Sequence, residues 1–228
     1  MTSLPDLHAV LARRHSVRGF APTPVPAPTL EAIFAAAQQA PSWCNVQPWR
    51  VTVTNPPRTA ALAQAMQQAA RTSLPHPDVA FPMTYPEPYD AHRKVCGGAL
   101  YRAMGVARDD KAGRYDAWLR NYAFFDAPHL AVVACDRRLG PYAFVDVGVW
   151  LGLLLAAATA AGVATCAMAS VAAYPDVLRA ELALPADETI LLGVALGYAD
   201  DQIAANTART DRSPLGANVR FVPAAEGG

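Results

Sequence analysis

The chain has 228 residues, 53% of them hydrophobic and 17% charged, with 19 basic side chains against 19 acidic ones. A chain of this length buries roughly 70% of its unfolded surface in a core of its own, so disulfide or metal staples are not needed. The even charge balance leaves no basic field to hold a nucleic-acid backbone or an anionic membrane, and neither partner is expected.

Cys44, Cys96, Cys135 and Cys166 lie far apart, with no Cys-x-x-Cys pair and no histidine at zinc-ligand spacing. Buried, reduced thiols are expected, with no metal site. The chain opens without a basic stretch followed by an apolar run and a small-residue cleavage site, so a cytoplasmic protein is expected.

Ser3 and Asp6 have the spacing of a capping box, and Leu7, Val10 and Leu11 continue a first helix into Arg13-Arg14-His15-Ser16-Val17-Arg18-Gly19-Phe20. Four prolines between Ala21 and Pro28 make an extended linker. A second helix, predicted from Thr29 to Gln39 with Leu30, Ile33, Phe34 and Ala37 on its apolar stripe, is stopped by Pro41, which lacks the amide proton and clashes with the preceding turn. There follows a loop dense in polar and planar groups, Pro41-Ser42-Trp43-Cys44-Asn45-Val46-Gln47-Pro48-Trp49, and then a β-branched strand over 50–54. A loop pinned between a helix and a strand presents side chains and amides rigidly.

Asn55-Pro56-Pro57 caps an alanine-rich helix to about Arg71. Five prolines between Thr72 and Pro88 break regularity. Helical spacing returns over 89–104 and 111–121, and the excursion over about 71–125 reads as a lid. Leu130–Cys135 and Thr189–Leu196 are apolar enough for buried strands. Between them, Tyr142–Ala161 is apolar on nearly every face. That marks a helix surrounded by protein or shared with a partner subunit. A membrane span is disfavoured, because Gly148, Gly152 and Gly162 interrupt the apolar run and Asp146 precedes it. The segment from 200 to 228 is a polar tail, either disordered or laid along a surface. Dinucleotide-binding Gly-x-Gly-x-x-Gly, Walker, nucleophile-elbow and His-Glu-x-x-His motifs are all missing.

Two segments together carry the functional signal. Arg14-His15-Ser16-Val17-Arg18-Gly19-Phe20 and Ala40-Pro41-Ser42-Trp43-Cys44-Asn45-Val46-Gln47-Pro48-Trp49 resemble, in order and spacing, the opening motifs of the nitroreductase family of flavin enzymes. Asn121-x-x-Phe124-Phe125-x-Ala127-Pro128 and Ala164-Thr165-Cys166-Ala167-Met168-Ala169-Ser170 are similar to later family segments. Arg212 stands where the family's C-terminal arginine falls.

The resemblance implies an α+β fold: one three-layer domain over 1–228, a mixed central sheet flanked by helices, and an intertwined homodimer with FMN at the subunit interface. It implies that Arg14, His15, Ser16, Arg18 and Arg212 hold the FMN phosphate, which planar guanidinium groups match in pairs. Pro41, Ser42, Trp43, Asn45 and Gln47 would approach the flavin, the loop coming from the other subunit, while Met168, Ala169 and Ser170 lie along its ring. His15 is expected to order its loop and Cys44 to pack, with Trp49 assigned to the core. No catalytic side chain is assigned, since the flavin carries the chemistry. The implied reaction passes hydride from NADPH or NADH through FMN to a nitroaromatic or quinone-like acceptor, by a ping-pong mechanism. Flavin-cleaving, dehalogenating or ene-reducing activity, or a non-catalytic FMN-binding or sensing module, are the alternatives. One departure is Thr210, where many relatives carry a lysine that stabilises the reduced ring; Arg209, Arg50 or a helix end are its possible substitutes.

Overall fold

A computed structural model describes residues 3–222; the first two and last six residues of the expected domain, with the end of its tail, lie outside that range. The helices are α1 (Leu4–Arg13), α2 (Ala27–Ala37), α3 (Pro56–Thr72), α4 (Tyr89–Ala103), α5 (Lys111–Leu119), α6 (Tyr142–Ala160), α7 (Pro175–Leu182) and α8 (Leu215–Asn218). The strands are β1 (Trp49–Val53), β2 (His129–Asp136), β3 (Ala164–Met168) and β4 (Glu188–Gly197). Local capping chemistry sets the helix starts. Ser3 and Asp6 close the capping box of α1, and the Asn55 side chain accepts from Arg58 N at 3.1 Å to open α3. Helix α2 begins two residues earlier than predicted, since prolines are tolerated in a first helical turn.

The sheet runs in the order β1-β2-β4-β3, and every pair of named strands is antiparallel. This narrows the expected mixed sheet. The crossover through α6 makes β2 and β3 point the same way, but β4 is inserted between them and pairs antiparallel with both. Parallel pairing is confined to an isolated bridge, Ser16 to Thr165, which lays the Arg14–Phe20 segment beside the edge strand β3.

Both faces of β2 are buried, which explains its unbroken apolar run. Leu130, Val132 and Ala134 join Leu62 and Met66 of α3 and Leu178 of α7 in one core. Ala131, Val133 and Cys135 join Ile33 and Ala37 of α2 and Val147, Trp150 and Leu154 of α6 in the other. Helix, sheet, helix is the resulting layering. The one buried histidine among the described residues, His129, is satisfied at both nitrogens: Nε2 accepts from Val25 N (3.1 Å) and Nδ1 donates to Thr54 O (3.0 Å).

Helix α6 is long and apolar enough to cross a bilayer by length and composition. Its Ala143, Val147, Trp150, Leu154 and Ala158, at helical spacing, face the core, while Val145, Val149 and Leu153 remain 60%, 40% and 39% exposed. Of the two expectations for this helix, enclosure within its own chain is not what the structure shows, since one apolar face is left uncovered. Helix α4, in the 71–125 excursion, buries no residue.

Candidate functional site

The N-terminal arginine segment and the tail meet. Arg14, His15, Ser16 and Arg18 line a cleft of about 330 Å³ with Arg209, Thr210 and Arg212, and Cys96 and Leu100 of α4 form its other wall. Among the described residues, no carboxylate lies within ion-pair distance of Arg14, Arg18, Arg209 or Arg212. Four guanidinium groups around one concavity without a counter-charge repel one another, and a bound anion relieves that repulsion.

Backbone contacts hold the segment still. Val17 N donates to Thr165 O (3.0 Å), Phe20 N to Phe125 O (3.2 Å) and Ala21 N to Tyr198 O (2.9 Å). His15 Nδ1 lies 2.9 Å from Arg13 O, so the ring donates back into its own loop, the ordering role expected of it. Beneath Ser16, burial pushes the Cys166 thiol up from its ordinary value, and Arg18 and a Ser16 hydrogen bond oppose that shift. Cys166 is an inert packing group.

Asn206 ties the tail down. Its Oδ1 accepts from Arg18 N at 2.6 Å, and its Nδ2 donates to Gly19 O (2.8 Å) and Asp200 O (2.9 Å). Gly19 is required there, because a Cβ would collide with the Ile203 side chain. Asn206→Ala strands the half-buried Arg18 amide, at a cost of about 1–3 kcal/mol, while Gly19 O and Asp200 O keep the backbone donors Asp200 N (3.1 Å) and Ile203 N (3.2 Å). Faster tryptic cleavage after Arg209, with a lowered melting temperature, is the expected result; an unchanged cleavage rate would show that the clamp is dispensable.

The loop after α2 stands elsewhere. It leads into β1, at the opposite edge of the sheet from β3, with β2 and β4 between. Cys44, Asn45 and Gln47 have φ of 48°, 56° and 49°, left-handed values that cost a side chain-bearing residue about 1–2 kcal/mol each. Specific bonds hold them. Ser42 Oγ accepts from Gln47 N (2.9 Å), the Asp146 carboxylate accepts from Trp43 N (3.1 and 3.2 Å), and Gln47 Nε2 donates to Asn45 O (3.2 Å). Pro41 precedes them and is exposed. Trp43, 60% exposed, meets Tyr142 edge-on at 4.7 Å, whereas Trp49 is buried in the core. Cys44, expected to pack, is exposed beside Trp43, as is Cys96 on α4; only Cys135 and Cys166 are buried thiols.

At the end of β3, Met168 is buried and Ala169 exposed, and the Ser170 hydroxyl is buried without a hydrogen-bond partner among the described residues.

The Nitroreductase family profile matches residues 11–198. The chain is a member of the nitroreductase family. It is 33% identical over 213 residues to nitroreductase NfnB of Mycolicibacterium smegmatis, covering 91% of this chain and 89% of that protein. It is 33% identical over 227 residues to the 4-nitrobenzoate reductase of Nocardioides sp., covering 97% and 92%. Among solved structures, the FMN-dependent nitroreductase NfnB from Mycobacterium smegmatis in complex with NADPH superposes with a TM-score of 0.93 at 31% identity, over 97% of this chain and 100% of that one. The FMN- and NADPH-dependent NfnB from Sphigopyxis sp. strain HMH superposes with 0.91 at 35% identity, over 95% and 99%.

In this nitroreductase the structure gathers Arg14, His15, Ser16, Arg18 and Arg212 into one cleft, and sets Ser42, Trp43, Asn45 and Gln47 apart from them within the chain. The profile match ends before Arg209 and Arg212. Asn206 and Asp146, which position the two halves of the candidate site, have no local sequence signal. Each acts on a residue more than a hundred positions away.

Proposed function

We propose that this protein is an FMN-dependent oxidoreductase that carries hydride from NADPH or NADH to a nitroaromatic or quinone-like acceptor by a ping-pong mechanism. The observation that carries the reading is the uncompensated arginine cleft, which suits a phosphate, on a fold shared with FMN- and NADPH-dependent nitroreductases. Arg14, Arg18 and Arg212 pair with the phosphate oxygens, the Ser16 hydroxyl adds a donor, and His15 keeps the segment in shape. When bound, FMN supplies reversible two-electron chemistry at its ring.

The chain's own groups orient and enclose it. Met168, Ala169 and the unpartnered Ser170 hydroxyl border the ring. Pro41, Ser42, Trp43, Asn45 and Gln47 lie at the wrong edge of the sheet to reach the cleft of their own chain, so they complete the site of a second copy. The uncovered Val145–Val149–Leu153 stripe of α6 is the face along which two copies pack into a homodimer. Tight backbone geometry at Cys44–Gln47 keeps Trp43 fixed as a stacking wall. The single domain carries its lid at about 71–125, and the enzyme works in the cytoplasm.

One stacking place serves both donor and acceptor in turn, so the nicotinamide leaves before the acceptor enters. Initial rates with NADPH and a nitroaromatic varied together should give parallel double-reciprocal lines. Flavin released by heat should chromatograph as FMN. Intersecting lines would overturn the shared place, and FAD would overturn the phosphate assignment.

A further inference from the structure

A second cationic cleft, of about 670 Å³, lies on the 71–125 excursion, between α4 and the turn into α5. Arg93, Lys94, Tyr101, Arg102, Arg108 and Arg114 line it. Asp90 compensates two of them, pairing with Arg93 at 2.7 Å and Lys94 at 2.6 Å. Asp110, in the turn, is committed to capping α5 through Gly113 N (2.8 Å). Among the described residues, Arg102, Arg108 and Arg114 have no ion-pair partner.

The cleft is also shaped. The Arg114 guanidinium lies over the Tyr101 ring, 4.5 Å from its centroid, which fixes its plane. The Arg102 guanidinium passes 3.3 Å from where a Cβ of Gly98 would stand, so a glycine there lets it lie flat on the helix. Helix α4 is the shared wall of the two cationic clefts: Cys96 and Leu100 face the first, Tyr101 and Arg102 the second. A smaller hollow lined by Arg18, Leu100, Tyr101 and Asn121 adjoins both.

We propose that this cleft receives the 2′-phosphate end of NADPH, with Arg102, Arg108 and Arg114 as the groups that select NADPH over NADH. The proposal rests on the oxidoreductase reading above. NADPH differs from NADH by one phosphomonoester, and unpaired guanidinium forks are the side chains that match its oxygens. The volume suits a nucleotide fragment and exceeds what a lone inorganic anion fills. The exposed positions of Arg102 and Arg108 allow both to change without loss of core packing.

The test uses the flavin-loaded protein and its Arg102→Gln/Arg108→Gln variant. Calorimetric titration should show adenosine 2′,5′-bisphosphate binding well above 5′-AMP and inorganic phosphate, and weakening by about 10- to 100-fold in the variant. The ratio of kcat/KM for NADPH to that for NADH should fall by a similar factor through the KM for NADPH, and added salt should raise that KM more than the KM for NADH. Equal binding of phosphate and bisphosphate would reduce the cleft to a cationic surface. An unchanged donor ratio, or equal losses with both donors, would equally overturn the assignment. The titration needs no turnover, so failure of the oxidoreductase reading would appear separately, as no NAD(P)H oxidation while the variant still loses the bisphosphate.

Discussion

Arg212→Ala is expected to release FMN on dilution, with a dissociation constant raised roughly 10- to 100-fold, the effect of deleting one charged donor from a phosphate site. In this chain the Arg212 guanidinium braces its own turn, Nη1 donating to Thr210 O (3.0 Å), Thr210 Oγ1 (3.3 Å) and Asp211 O (3.0 Å). Among the described residues its Nη2 and Nε have no acceptor, which leaves that edge of the fork free for a ligand in the cleft it shares with Arg14 and Arg18. Fluorescence titration of the stripped protein with FMN measures the constant. Because Asn206 holds the tail to Arg18 independently of any ligand, the variant should keep its melting temperature in the FMN-free form and lose only the gain that FMN confers. An unchanged dissociation constant would remove Arg212 from the site.

Trp150→Ala should be the most destabilising single change, at about 3–5 kcal/mol. Trp150 is 1% exposed at the centre of α6, stacked between Phe34 of α2 (6.2 Å) and Trp49 of β1 (6.3 Å). Its removal opens a cavity between the helix and sheet layers, and the Trp49 ring is kept from collapsing into it by the Gln38 side chain, which accepts from Trp49 Nε1 at 3.0 Å. The same Trp49 starts the strand that follows the Trp43 loop, so the damage reaches the candidate site as well as the core. Urea unfolding followed by circular dichroism gives the loss; a change under about 1 kcal/mol would mean that the layers are joined elsewhere.

The parts of this molecule readable from sequence are those whose cause is local. Ser3 with Asp6 and Asn55 with Arg58 announce helix starts because the capping bond spans three residues. The two opening motifs are legible because their prolines, glycine and arginines each carry their own chemistry. What could not be read is what joins distant segments. The clamp from Asn206 to Arg18 spans 188 residues, and the Asp146 bond to Trp43 N spans 103. The antiparallel sheet follows from β4 entering between β2 and β3, which no local pattern encodes. The three successive left-handed residues Phe124, Phe125 and Asp126 likewise occur where propensity disfavours them. Burial of both phenyl rings and the bond from Phe20 N to Phe125 O hold them there. The separation of the Trp43 loop from the arginine cleft, which makes a second copy part of the proposed site, became visible only with the strand order.

The most direct measurement is an anaerobic titration of the purified, flavin-loaded protein followed by its visible spectrum. NADPH should bleach the flavin band with one equivalent per bound FMN. Addition of a nitroaromatic after the NADPH is exhausted should restore the band, with the nitro group reduced in proportion. A band that NADPH and NADH leave unbleached, or one that bleaches and is not restored by the nitroaromatic, would contradict the account.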